Sequence, residues 1–149
     1  MGEEVRNRAL MRRFYEELWS RGNLEAIPEL VAEDFVDHQA PVGQPSGREE
    51  LAGLVLMWRT GFPGMQGTVE DLISEVDKVV GRFLLRGTQR GEFMGVAPTG
   101  RSATMSGIDT VRVANGKISE FWYAEQTLEL VQQLGAAPDL AAGRTEDGR

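Results

Sequence analysis

The sequence predicts an α+β fold in which N-terminal helices pack on a curved, mainly antiparallel sheet. Apolar residues recur at helical spacing as far as Trp58, and β-rich runs follow from Thr68 to Tyr123. Between the last two runs, Ala114-Asn115-Gly116 marks a tight hairpin, because both central positions of a type I′ turn need positive φ. Helices first and strands afterwards, with no internal repeat or linker, is the order of a single segregated α+β domain. The 149 residues agree, since a domain takes roughly 100 to 200 residues.

In residues 4–21 the apolar positions Val5, Leu10, Met11, Phe14, Leu18 and Trp19 form one buried helix face, which Gly22-Asn23 ends. A second helical stretch, 24–32, contains Pro28 and therefore a kink or a fresh first turn. Residues 37–45 lose periodicity and carry two prolines and a glycine, so they read as a loop. Ser46-Gly47-Arg48-Glu49 fits a capping box, and Leu51, Leu54, Val55 and Trp58 give a third amphipathic helix that Gly61-Phe62-Pro63-Gly64 terminates.

Four strands are expected, at 68–76, 79–89, 104–113 and 117–123. In the second, Val79, Phe83 and Leu85 share one parity and Arg82 and Arg86 the other, so one face is covered and Gln89 points inward. A last helix at 127–134 places Leu128, Val131 and Leu134 on one side, with Gly135 as terminator. The domain is thus 1–135, followed by a small, polar, flexible tail at 136–149.

Composition narrows the function. Sixteen Lys and Arg against 23 Asp and Glu give a net charge of −7, which repels nucleic acid and anionic membranes. With no Cys and one His, thiolate nucleophiles, disulfides, Fe–S clusters and Cys- or His-rich zinc sites are excluded, leaving only carboxylate-based metal chemistry. No basic n-region precedes an apolar run, the longest apolar stretch (51–58) is far short of a span, and Arg6 spoils a Met1-Gly2 myristoylation signal, so a cytoplasmic protein is expected. No Gly-x-Ser-x-Gly elbow accompanies His38, and the glycines between Gly61 and Gly67 lack the Lys-Ser or Lys-Thr of a phosphate loop.

Several segments together carry a family resemblance. They are Phe35-Val36-Asp37-His38, Phe62-Pro63, Asp77-Lys78-Val79-Val80 and Arg86-Gly87-Thr88-Gln89-Arg90-Gly91-Glu92-Phe93. Ala97-Pro98-Thr99-Gly100, Asn115-Gly116-Lys117-Ile118-Ser119-Glu120-Phe121-Trp122 and Gln132-Gln133-Leu134-Gly135 complete the set. Over residues 5–135 the chain resembles the SnoaL-like polyketide cyclases of the NTF2-like group, which are cone-shaped α+β barrels. The resemblance implies a hydrophobic, carbonyl-rich, polyketide-like substrate, an intramolecular aldol closure without metal or organic cofactor, and a homodimer paired through the outer sheet face. It also implies an aspartate acid/base four residues beyond the tryptophan, where this chain has Gln126. The family's Gly-Thr-His reads Gly87-Thr88-Gln89 here. An amide does not exchange protons in the working pH range.

Two readings follow: the acid/base role has moved to Glu125, Glu120 or Asp109, or the protein binds a small molecule without that chemistry. Glu120 shares parity with Trp122 and Gln126, while Glu125 lies where strand becomes helix and parity decays. Against these roles stand ordinary ones: Glu120 paired with an arginine, Glu125 solvated at a strand end, and Asp109 in a surface pair with Arg112. His38 beside Asp37 suggests a proton relay or, equally, a loop-shaping hydrogen bond. Gln126 and Gln89 are candidates to orient carbonyls. Trp19, Trp58, Trp122, Phe83 and Tyr123 are candidates to stack on a planar ligand, or to fill the core. Epoxide hydrolase, hydroxylase or isomerase chemistry on the same fold is the remaining alternative; an isomerase would need an Asp base with a Tyr and a protonated Asp as oxyanion hole.

Overall fold

The computed structural model describes residues 2–44 and 46–136. Of the tail expected at 136–149, only Ala136 falls within them; the rest lies outside the described residues. The elements run α1 (Glu3–Phe14), a π-helical turn (Tyr15–Ser20), a 3-10 turn (Leu24–Ala26), α2 (Ile27–Leu30), β1 (Val31–Asp37) and α3 (Arg48–Gly61). Then come β2 (Gln66–Glu75), β3 (Lys78–Thr88), β4 (Ser102–Ala114), β5 (Lys117–Glu125) and α4 (Thr127–Gln133). The strands form one open, curved sheet in the order β1-β5-β4-β3-β2, with the helices on its concave side. The α+β cone that the sequence predicts is therefore present.

Every expected strand lies where the β-rich runs place it, and the Asn115-Gly116 turn has φ values of 51° and 74°, as a type I′ hairpin requires. One strand escaped the reading. Residues 31–37, assigned partly to a helix and partly to a loop, form β1, which pairs in parallel with β5. Val31, Phe35 and Val36 favour extended backbone only weakly over so short a span, and their ladder partner is more than 80 residues away in sequence, so tertiary pairing decides. The helix expected at 24–32 consequently shrinks to a 3-10 turn and one α turn, entered through Pro28 and ended at Leu30.

Three smaller corrections concern helix ends and faces. The capping box does not form: the N-cap of α3 is Gly47 in extended backbone, and Ser46 instead uses its carbonyl to accept the Asp37 amide at 2.8 Å. Val5 is 39% exposed, outside the buried face of Met11, Phe14, Leu18 and Trp19. In α4 the buried pair is Leu130 and Leu134, while Leu128 faces outward. Gly135, at φ +79°, ends that helix in the left-handed conformation glycine tolerates.

A β-bulge decides which residues face the cavity. Val113 pairs with Ile118 and Arg112 with Glu120, so Ser119 is an extra residue in β5. Ile118 is buried, and without the bulge Glu120 and Trp122 would follow it inward. The extra residue reverses the alternation, and Phe121, Tyr123 and Glu125 face the concave side instead.

Candidate functional site

Between the helices and the concave face of the sheet lies a narrow void of about 270 Å³, with Tyr15, Trp19, Trp58, Phe83, Asp109 and Glu125 among its walls. Only about 10 Å³ of it admits the centre of a water molecule, so the aromatic walls are nearly in contact. A second apolar void of about 200 Å³ adjoins it and shares Trp58 and Leu85.

Asp109 stands in the middle of β4, opposite Gly81 of β3 and Tyr123 of β5, and is 3% exposed. The Tyr15 hydroxyl donates to its Oδ2 at 2.9 Å, whereas its buried Oδ1 has no hydrogen-bond partner among the described residues. Burial pushes the Asp109 carboxyl well above the usual carboxylate range; the charges of Glu125 and Asp37 push the same way and the Tyr15 bond opposes them. An acid in that position holds its proton more tightly than an ordinary carboxyl. Burial, reinforced by Asp109, also raises the Tyr15 hydroxyl, which stays a donor.

Tyr15 reaches Asp109 because Gly81 has no side chain. A Cβ at position 81 would lie 2.6 Å from the Tyr15 hydroxyl oxygen. Gly107 does the same for Phe83, whose ring tip would be 2.4 Å from an added Cβ. These two sheet glycines make the slots in which the cavity walls sit.

Glu125 ends β5 opposite Gly107, two residues along from the partner of Asp109, so both carboxyls project from one face of adjacent strands. Burial, with a further contribution from Asp37, raises Glu125 to about 7. Asp37, at the end of β1, is itself buried; its Oδ1 accepts the Gln39 amide at 2.8 Å and its Oδ2 the Tyr123 hydroxyl at 3.4 Å. Burial and the neighbouring Asp37 raise Glu50 to about 7, and they push the Tyr123 hydroxyl upward too. The void thus carries two acids, Asp109 and Glu125, both raised above the ordinary carboxyl range, and among the described residues no Lys, Arg or His lines it.

The other sequence candidates lie elsewhere. Glu120, which the sequence left between a cavity carboxylate and an arginine-paired one, is the latter: it stands on the convex face, with Oε1 3.0 Å from His38 Nε2 and Oε2 2.6 Å from Arg112 Nε. His38 stacks on Trp122 with ring centroids 4.5 Å apart and an interplanar angle of 4°, and Lys78 approaches the same indole at 5.5 Å. His38, Glu120 and Trp122 therefore form one outer cluster that the bulge excludes from the void. Arg112 pairs with Asp77 and Glu120, not with Asp109.

Gln126 is exposed at the N-cap of α4, its side-chain oxygen 3.4 Å from the Ser106 amide. Gln89 does point inward, fully buried, but both its amide hydrogens go to the carbonyls of Gly91 and Val96, and its oxygen accepts the amide and hydroxyl of Thr99. All four of its hydrogen-bonding positions are used in closing the 89–101 loop. Trp19, Phe83 and Trp58 line the void, and Tyr123 faces the same side. Sequence reasoning missed Tyr15 and the buried role of Asp37. The signal for Tyr15 was present, since it lies four residues after Met11 on the buried helix face.

Among the described residues no group of three or more His, Cys, Asp or Glu is placed to hold a metal ion, and no helix is long and apolar enough to cross a membrane.

An open cone of helices on a curved sheet, with acids in its interior, is the NTF2-like class of fold. The model of the SnoaL-like polyketide cyclases matches residues 9–134, and the chain belongs to that family. Among solved structures it is similar to a protein from Bacillus cereus assigned as a polyketide cyclase, with 34% identity, a TM-score of 0.78, and coverage of 90% of this chain and 83% of that one. IdmH of Streptomyces antibioticus, also assigned as a polyketide cyclase, is 35% identical over 87% of this chain and 98% of its own, with a TM-score of 0.76. AclR of Streptomyces galilaeus, assigned as a hydroxylase, is 27% identical over 98% and 95%, with a TM-score of 0.83. No curated protein matches.

Proposed function

We propose that the chain is a cytoplasmic, cofactor-independent cyclase acting on a hydrophobic, carbonyl-rich small molecule, with Glu125 as the acid/base in place of residue 126. The observation that carries this reading is the juxtaposition of Glu125 and Asp109 on one face of β4 and β5, inside an aromatic void. Glu125, raised to about 7, is partly ionised at neutral pH and takes a proton from the carbon next to a substrate carbonyl. The carbonyl oxygen gains the negative charge and receives a hydrogen bond from protonated Asp109 at Oδ1, while Tyr15 holds Oδ2. The resulting enolate carbon attacks a second carbonyl of the same molecule, a C–C bond forms, and the new alkoxide takes the proton back from Glu125.

The Tyr15–Asp109 pair also favours a second reading, enolate-forming isomerisation, in which the same proton returns to a different carbon. Exposed Ile73, Val80 and Ile108 on the convex face support a homodimer through the sheet, and light scattering giving a monomer mass would contradict it.

The test is product formation from an anthraquinone-type methyl ester, with binding followed by fluorescence of Trp19 and Trp58. Turnover lost in Glu125→Gln supports the cyclase. Binding without turnover, with activity gained only in Gln126→Asp, would make the protein a small-molecule binder that has given up the proton chemistry.

A further inference from the structure

A groove of about 760 Å³ lies over the ends of β3 and β4, on the side facing away from the void, with Gln66, Arg86, Thr88, Arg90, Ser102 and Thr104 on its walls. Among the described residues no Asp or Glu lines it, although the chain has 23 acidic residues. Arg13, Arg21, Arg82 and Arg112 each pair with a carboxylate, and Arg48 and Arg59 donate to backbone carbonyls. The side chains of Arg86 and Arg90 make no hydrogen bond or ion pair among the described residues.

Two unpaired guanidiniums in one concavity repel each other, and in a protein of net charge −7 nearby carboxylates would ordinarily neutralise them. We propose that this groove is a binding site for a phosphate monoester. A dianion matches two cations, and the forked donors of two guanidiniums outnumber what one carboxylate accepts. The hydroxyls of Thr88 and Ser102 lie 2.8 Å apart and share one hydrogen bond, which leaves one O–H free to donate; Thr104 supplies another. Gly87 and Ala103, paired across the two strands, separate the groove from the apolar interior. The site is thus distinct from the cavity and stands or falls without the chemistry proposed there.

The experiment is an amide-shift titration of the full-length protein with phenyl phosphate, inorganic phosphate and phenylacetate. Saturable shifts at Thr88, Arg90, Ser102 and Thr104 are expected with both phosphates. Affinity falls by about tenfold or more in Arg86→Gln/Arg90→Gln and declines with added salt. An unchanged thermal midpoint shows that the double variant is folded, because neither side chain has a partner to lose among the described residues. Non-saturating shifts equal for all three anions, or saturation that survives the double substitution, would overturn the proposal.

Discussion

The two faces of the β4–β5 strand pair carry the same residue types and opposite chemistry. On the convex face Glu120 meets Arg112 and His38, and Asp77 meets Arg112, so each of these acids has a basic partner. On the concave face Asp109 and Glu125 meet aromatic rings and one tyrosine hydroxyl, Asp109 also feels the charge of Glu125, and no cation is among the described lining residues. A carboxyl denied water and cations holds its proton more tightly. The outer acids sit in exposed ion pairs, each a modest gain.

The sharpest way to break this contrast is to neutralise one acid on each face. Glu125→Gln should lower turnover by about 10²- to 10⁴-fold, the usual worth of a positioned acid/base, whereas Glu120→Gln should leave it within about twofold, in steady-state assays of both variants.

The next effect is on stability against pH. Glu125 titrates near 7 in the folded chain against an ordinary 4.5, so between those pH values the unfolded chain has released a proton the folded one still holds. Stability from this group is full below about pH 4.5 and is lost as pH rises through 7, roughly 3 kcal/mol in all. Urea unfolding at pH 5 and pH 8 should therefore show a fall that Glu125→Gln reduces, the remainder coming from Glu50 and Asp109, whose carboxyls are raised as well.

Smaller still is the support of Asp109. Tyr15→Phe leaves Oδ2 of Asp109 without its donor and should cost about 1 to 2 kcal/mol. It should also raise the Asp109 carboxyl further, since the tyrosine bond is what opposes its upward shift. Gly81→Ala should reproduce part of this from the other side of the strand, about 1 to 3 kcal/mol by crowding Tyr15. On the convex face, removing the Arg112–Glu120 pair should cost no more than about 1 kcal/mol.

The two faces were unequally legible in the sequence. Strand positions, the Asn115-Gly116 hairpin and the inward turn of Gln89 follow from local pattern, because turn chemistry and two-residue alternation are written in adjacent residues. β1 is different: its pairing with β5 is parallel and distant in sequence, and no local signal announces it. The same holds for Ser119. One extra residue in β5 exchanges the cavity face for the outer face, so reading parity from Ile118 places Glu120 and Trp122 inside and Glu125 outside, the reverse of what is seen. The resemblance points to the end of β5, and only the register tells which of its residues turn inward. Gln89 shows the complementary limit, since its inward position was readable and its commitment to the loop carbonyls was not.

The central claim is that position 125, and not 120 or 126, places a protonatable acid in the cavity. Side-chain carboxyl titration of glutamate-labelled protein by carbon NMR, assigned with Glu125→Gln, tests it directly. Glu50 is raised to the same region, so the predicted result is that one of the resonances titrating near 7 disappears in that variant; a Glu125 carboxyl titrating at the ordinary value of 4.5 would contradict it.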